Sequence, residues 1–184
     1  MLNTKYVEVP NQQNGQPMLQ VNPDALGQAW FVKHIQYVKG QGAAMKALDH
    51  FTPKDTAIVE ESFKKDIPFE PVADSAAAVR LVKNDNDEIT YQSTSKTNQF
   101  AVFSEIFYDR GWKAYIDDKE APIVQTNYVL RGLAIPAGNH QVKFEFKPAS
   151  YYNSNKAAVG ASALIWLLLI GAIVSIVRKN KEVA

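Results

Sequence analysis

Cysteine is absent from the 184 residues, which excludes a disulfide framework and any thiolate metal site. The absence does not choose a compartment, because many extracytoplasmic proteins also lack disulfides. An excess of charge is missing too: 20 Lys and Arg stand against 19 Asp and Glu, and so even a balance gives nucleic acid no electrostatic footprint. The N-terminus, MLNTKYVEVPNQQ, has no basic segment leading into an apolar run, so it is not a secretory signal. His34, His50 and His140 are scattered without an HExxH or paired spacing, and no metal site is expected. Gly40-Gln41-Gly42 lacks the rest of any phosphate-binding fingerprint, and no Gly-x-Ser-x-Gly nucleophile elbow occurs. No internal repeat or low-complexity tract is visible, and nothing calls for a cofactor.

One long apolar run is present. Residues 157–177, AAVGASALIWLLLIGAIVSIV, carry no charge; as a helix they extend ~31 Å, the thickness of a bilayer's hydrocarbon core. A buried soluble helix would not stay apolar on every face for that length. Arg178, Lys179 and Lys181 follow the run, whereas only Lys156 closely precedes it. Positive charge stays on the cytoplasmic side. The expectation is therefore a transmembrane helix at 157–177, a cytoplasmic tail at 178–184 and residues 1–156 on the opposite, extracytoplasmic side of the membrane. Tyr151 and Tyr152 sit where interfacial aromatics belong.

The remainder reads as mainly β. TKYVEV (4–9) and PMLQV (17–21) flank Asn14-Gly15, a strong hairpin turn signal. AWFVKHIQYV (29–38) reads as one long strand, GAAMKALDHF (42–51) as a helix ending before Pro53, and TAIVEESF as a short strand. An irregular, proline-bearing connection follows. AAVRLVKNDNDEITYQSTS makes two strands about a turn at 84–87, FAVFSEIFY a central strand covered on both faces, and GWKAYI and HQVKFEFK alternate as half-buried strands. Short strands every 8–12 residues indicate an antiparallel β-sandwich. The expected division is an N-terminal α+β portion at 1–75, a sandwich portion at 76–148, a polar linker at 149–156, then the span and tail.

Residues 105–122, EIFYDRGWKAYIDDKEAP, mix aromatics with carboxylates as a sugar-binding cleft does, and as an ordinary hairpin does. Trp112 alternates with Ala114 and Ile116, which assigns it to the core with Phe144 and Phe146; stacking on a sugar is the alternative. Tyr108, Tyr115 and Tyr128 are the candidate glycan-contacting side chains. Arg131, expected to be an exposed strand residue, is a candidate for a glycan or lipid phosphate. Glu105 and Asp109 are the nearest approach to a glycosidase pair, but four residues along a strand separate them by ~13 Å, too far without a bend. Glu60 and Glu61 point to opposite faces of a strand. No catalytic residue is assigned, and the stretch reads as scaffold.

NPDALGQAWFV (22–32), then FSEIFYDRGWKAYIDDKEAPIVQTNYVLRGLAIPAGNHQVKFEFKP (103–148), then a polar link and an apolar helix, resemble the C-terminal end of the YfhO family. The resemblance takes in essentially the whole chain. These are large bacterial multi-pass membrane proteins related to the GT-C glycosyltransferases. The resemblance implies upstream transmembrane helices that would deliver this domain outside, and catalytic carboxylates located upstream. It also implies a glycan or lipid-linked sugar as partner beside the bilayer and that upstream region. Asp117-Asp118 stands where the family often has Asp-Gly, and the hairpin is expected to survive because Asp tolerates a left-handed turn better than most residues. The function expected is an accessory domain in cell-envelope glycosylation, positioning glycan or acceptor or packing on the membrane core. The rival is a free-standing, single-pass glycan-binding or adhesion module.

Overall fold

The computed structural model describes residues 1–10 and 16–182, with side chains described through residue 174. The turn expected at Asn14-Gly15 lies outside the described residues. The chain divides into two compact units, Met1–Phe146 and Lys147–Ala184.

The first unit is built from strands: β1 (Tyr6–Pro10), β2 (Pro17–Val21), β3 (Ala29–Val32), β4 (His34–Val38), β5 (Thr56–Glu60), β6 (Ala78–Asn84), β7 (Glu88–Ser95), β8 (Gln99–Ile106), β9 (Trp112–Ile116), β10 (Lys119–Ala121), β11 (Val124–Thr126), β12 (Leu130–Ile135) and β13 (Gly138–Phe146). A short helix, α1 (Gln41–Ala47), precedes β5 and a 3-10 turn at Glu61–Asp66 follows it. Glu61 therefore begins that turn, and the expectation of Glu60 and Glu61 on opposite faces of one strand is corrected. The mainly β architecture is as expected, with two sheets ordered β10-β9-β13-β7-β6 and β3-β8-β12-β11-β5-β4 and a separate β1-β2 ribbon. Pairing is antiparallel except between β4 and β5, which run parallel.

The stretch AWFVKHIQYV is two strands, not one. β3 and β4 are the two opposite edges of the six-stranded sheet, yet Lys33 alone separates them in sequence. The backbone N–H groups of Lys33 and His34 both donate to the Asp55 carbonyl, at 2.8 and 3.0 Å. The sheet therefore rolls until its edges meet. Inside the roll lie Trp30, Val32, Ala57, Val59, Phe100, Val102, Val124 and Leu130.

β8 reads as a near-continuous apolar run because both its faces are covered. Phe100 and Val102 point into the roll, while Ala101 and Phe103 point at the five-stranded sheet. There they meet Ile89, Tyr91, Ala114, Val142 and Phe144. The rings of Phe103, Tyr91 and Phe144 pack edge to face at 4.8–6.2 Å between centroids, each pair adding about 0.5–1.5 kcal/mol beyond its buried area. Gly132 on β12 is required by this packing: a Cβ there would lie 2.5 Å from Cζ of Phe100.

The expected boundary at residue 75 is not a structural one. β3, β4 and β5 from the N-terminal part share a sheet with β8, β11 and β12. The proline-bearing connection is pinned at Val72, whose carbonyl accepts from Thr97 Oγ1 and Gln99 Nε2, both at 2.7 Å.

The second unit is a single helix, α2 (Ala149–Glu182). Within Ala149–Val174 an 18-residue window has a mean hydropathy of 2.4 and none of that window is buried, so the helix is long and apolar enough to cross a membrane. The polar segment 149–156, expected as a linker, forms the first two turns of this helix; nothing in it breaks helical geometry after Pro148.

Candidate functional site

The site forms where β9 outlasts its neighbour. β10 pairs with Ala114, Tyr115 and Ile116 only, which leaves the outer edge of Trp112 and Lys113 without a strand. Pro122, with no N–H to continue a ladder, turns the chain away after β10. The segment leaving β8 at Phe107, Tyr108 and Asp109 forms the opposite wall. Between them is a groove of about 270 Å³ floored by Trp112, Lys113 and Ala114. Tyr108 is 50% exposed and Trp112 is half-buried. Lys113 Nζ, beside the groove, donates to both carboxylate oxygens of Glu120, at 3.0 Å each. That bond raises the Lys113 pKa above its ordinary value. Asp109 has no ion-pair partner among the described residues.

A second layer supports the floor. The Arg131 guanidinium lies over the Trp112 ring, 4.1 Å from its centroid, and Phe146 packs at 5.2 Å from the same ring, tilted by 44°. Arg131 Nε donates to the Ile106 carbonyl at 2.9 Å, one residue before Phe107. One side chain thus ties the groove's floor to the strand that carries its wall. Arg131 is only 3% exposed and its Nη1 is buried with no hydrogen-bond partner among the described residues. Burial holds its pKa below the ordinary value, with Glu105 and Tyr91 opposing that shift. Burial likewise pushes the Tyr91 hydroxyl well up, helped by Glu105.

The four candidate residues do not converge. Tyr108 lines the groove. Tyr115 faces the outer surface of the five-stranded sheet, where Lys143 Nζ stands 5.3 Å from its ring centroid. Tyr128 occupies the β11–β12 turn with φ 70°, after Asn127 at φ 48°. Arg131, expected to be exposed, is interior. Its strand alternates Arg131, Leu133 and Ile135 toward the five-stranded sheet, and stacking on Trp112 makes the charge tolerable there. Trp112 and Phe146, expected in the core, sit at its rim; Phe144 is fully buried. Glu105 is close enough to Arg131 for its charge to be felt there and lines none of the groove, so it forms no pair with Asp109 there. Among the described residues no three His, Asp or Glu side chains are placed to hold a metal ion.

At the far end of β9 the hairpin survives with aspartates. Asp117 and Asp118 adopt φ 48° and 65°, the positive pair of a type I′ turn. Asp117 accepts from His140 Nδ1 at 2.6 Å and from the Gln141 N–H at 2.9 Å. His140 Nε2 lies 3.2 Å from the Ala137 carbonyl. Both ring nitrogens face acceptors, so both bonds form only in the imidazolium. The Asp117 bond raises the His140 pKa, and the His140 bond lowers that of Asp117.

Sequence reasoning missed Phe107, Lys113, Glu120 and Pro122 as groove walls and Arg131 as the brace beneath. All but Arg131 lie within the aromatic and acidic stretch 105–122, which was the available signal.

Fold and site define a β-rich domain with a small aromatic groove, followed by a helix of membrane-spanning character. Residues 68–154 match the model of a family described as "Bacterial membrane protein YfhO". This part of the chain, from the connection before β6 into the start of α2, is a YfhO-family region. Residues 22–32, on which the resemblance also drew, lie outside the match. No curated protein and no solved structure matches the chain.

Proposed function

We propose that the Met1–Phe146 unit is an extracytoplasmic accessory domain of a YfhO-type membrane protein, positioning a glycan or acceptor for sugar transfer at the cell envelope without performing the chemistry itself. The observation that carries this reading is the groove, in which a half-exposed tyrosine and a braced tryptophan stand beside an unpaired carboxylate, the pairing of flat apolar faces with hydroxyl-binding groups that a sugar ring requires. The family match, the apolar helix and the basic residues after it support a membrane-tethered role. The resemblance to GT-C enzymes supplies the link to glycosylation. The side chains that would make a small glycosidase do not face one another across the groove.

A packing role on the membrane core has one supporting observation. Among the described residues the β1–β2 ribbon pairs with no other strand, and it leaves Tyr6, Met18, Leu19 and Val21 49–74% exposed, more apolar surface than an isolated hairpin keeps in water.

The test is binding. The full chain in lipid nanodiscs, screened against an array of bacterial envelope glycans, should retain a subset of them, and Tyr108→Ala should abolish that retention. A wild-type chain that retains none contradicts the glycan role and leaves the packing role in its place.

A further inference from the structure

We infer that the open edge of β3 takes strand β2 of a second copy of this chain, so that two copies pair by exchanging their β1–β2 ribbons. The inference does not rest on the glycan role. It gives the ribbon another copy as its partner, where the packing role above gives it the membrane core.

Both halves of the contact follow from hydrogen-bond direction. In an antiparallel ladder, alternate residues turn their N–H and C=O groups toward the same neighbour. The Ser104 N–H donates to the Gln28 carbonyl at 2.9 Å, so Gln28, Trp30 and Val32 face β8. Ala29 and Phe31 face the other way, as Lys33 does where its N–H reaches the Asp55 carbonyl. Beyond that closure the edge is open, and the backbone groups of Ala29 and Phe31 have no partner among the described residues. In the ribbon, the Asn22 N–H donates to the Lys5 carbonyl at 2.8 Å. Met18 and Gln20 therefore face β1, while Leu19 and Val21 face outward. Pro17, next in that outward row, has no N–H and ends it. Antiparallel pairing sets Val21 opposite Ala29 and Leu19 opposite Phe31, and each opposed pair exchanges both of its hydrogen bonds.

Side chains and charge agree with this pairing. A guest strand sends alternate side chains to opposite faces, and a cleft flanks β3 on each. One, of about 430 Å³, lies toward β6; the other, of about 710 Å³, lies toward residues 23–26 and 52–55. Opposed residues share a face, so Leu19 and Val21, 74% and 66% exposed in the free ribbon, enter the first cleft beside Phe31 and Ala29. Met18 enters the second beside Val32. The charged lining residues are Lys33, Lys54 and Arg80 against Asp24, Asp55 and Asp74, an even balance that leaves an ionic guest nothing to neutralise. β2 carries no charge, whereas the outward row of β1 holds Glu8. Within one chain β2 and β3 do not pair, because Asn22 is tied to Lys5 and, through Nδ2, to the Thr4 carbonyl at 2.9 Å. One ribbon and one open edge per copy close into a two-fold pair.

The test is disulfide cross-linking of the full chain in bacterial membrane vesicles. Two differently tagged copies are produced together, with no native cysteine to interfere. Met18→Cys in one copy should link to Lys54→Cys in the other, and Leu19→Cys to Ser75→Cys. The exchanged combinations, Met18→Cys with Ser75→Cys and Leu19→Cys with Lys54→Cys, should not link. Ala29→Pro removes one outward N–H and leaves the β8 ladder whole, and Val21→Pro does the same on the exposed ribbon. Each should abolish both links. Near-ultraviolet circular dichroism checks that the fold is kept, and Val21→Pro, outside the core, decides alone if Ala29→Pro does not fold. Links that survive the prolines would show proximity without strand addition, and links confined to one chain would put the ribbon on its own edge. Either result overturns the inference, as would links in the exchanged combinations or no link at all. None of them bears on glycan retention, which is read separately.

Discussion

Trp112 and Arg131 share one arrangement, a cation laid on an indole at 4.1 Å in a place where the cation has almost no water. A planar, delocalised guanidinium fits it, whereas a compact ammonium loses the stack and keeps the desolvation cost. Arg131→Lys should therefore destabilise the fold by about 2–3 kcal/mol, while Arg131→Met, which removes the buried charge and its orphaned Nη1, should cost under about 1 kcal/mol. Equilibrium denaturation of the detergent-solubilised chain, followed by near-ultraviolet circular dichroism, ranks the two; a cheaper lysine would refute the stacking account. The position also shows why a residue's environment is hard to read. In Leu-Arg-Gly-Leu-Ala-Ile the alternation places Arg131 inward and its charge places it outward. The decisive partner, Trp112, is distant in sequence.

The Asp117–His140 pair makes its own prediction at this scale. His140 has its pKa raised from 6.5, so its contribution is complete below 6.5 and is lost as pH rises through the raised value. Asp117 is lowered from 3.8, so its contribution is present above 3.8 and is lost as pH falls through the lowered value. Both are in force between about pH 4 and 6.5. The Tm difference between wild type and His140→Gln should be largest near pH 5–6 and shrink by pH 9. A difference independent of pH would mean that His140 acts by packing alone.

Among the elements, the β9–β10 hairpin is the one whose local chemistry can be improved. Asp118 holds φ 65° where glycine is free of the Cβ penalty, and its side chain is 88% exposed. Asp118→Gly should stabilise the domain by about 0.5–1 kcal/mol, read as a rise in Tm, whereas a loss of stability would show that Asp118 has a role the turn geometry does not reveal. This hairpin was legible because its signals are local: alternation in GWKAYI and turn-forming aspartates. β8 was legible for a similar reason, since the four consecutive apolar residues Phe100-Ala101-Val102-Phe103 leave neither face polar and require cover on both sides. The split of AWFVKHIQYV into β3 and β4 was not. Its cause is the Asp55 carbonyl, which captures the N–H groups of both Lys33 and His34 from more than twenty residues away, and a strand's interior gives no sign of such capture. The rolled sheet and its parallel β4–β5 pair follow from that break and were hidden with it.

The whole molecule joins a folded unit to an apolar helix, and the sequence shows this because length and absence of charge survive without any knowledge of tertiary contacts. The division at residue 75 fails for the opposite reason: strand partners are drawn from both sides of it, and pairing across a chain leaves no compositional mark. The central claim is that the grooved domain faces outside, where envelope glycans are, with the basic tail inside. Cysteine labelling tests it directly, because the chain has no cysteine of its own. In intact bacterial cells that produce the membrane-inserted protein, a membrane-impermeant thiol reagent should label Asn139→Cys, at an exposed position on β13, without permeabilisation. Val183→Cys should label only after permeabilisation. The reverse pattern would place the groove in the cytoplasm and contradict the account.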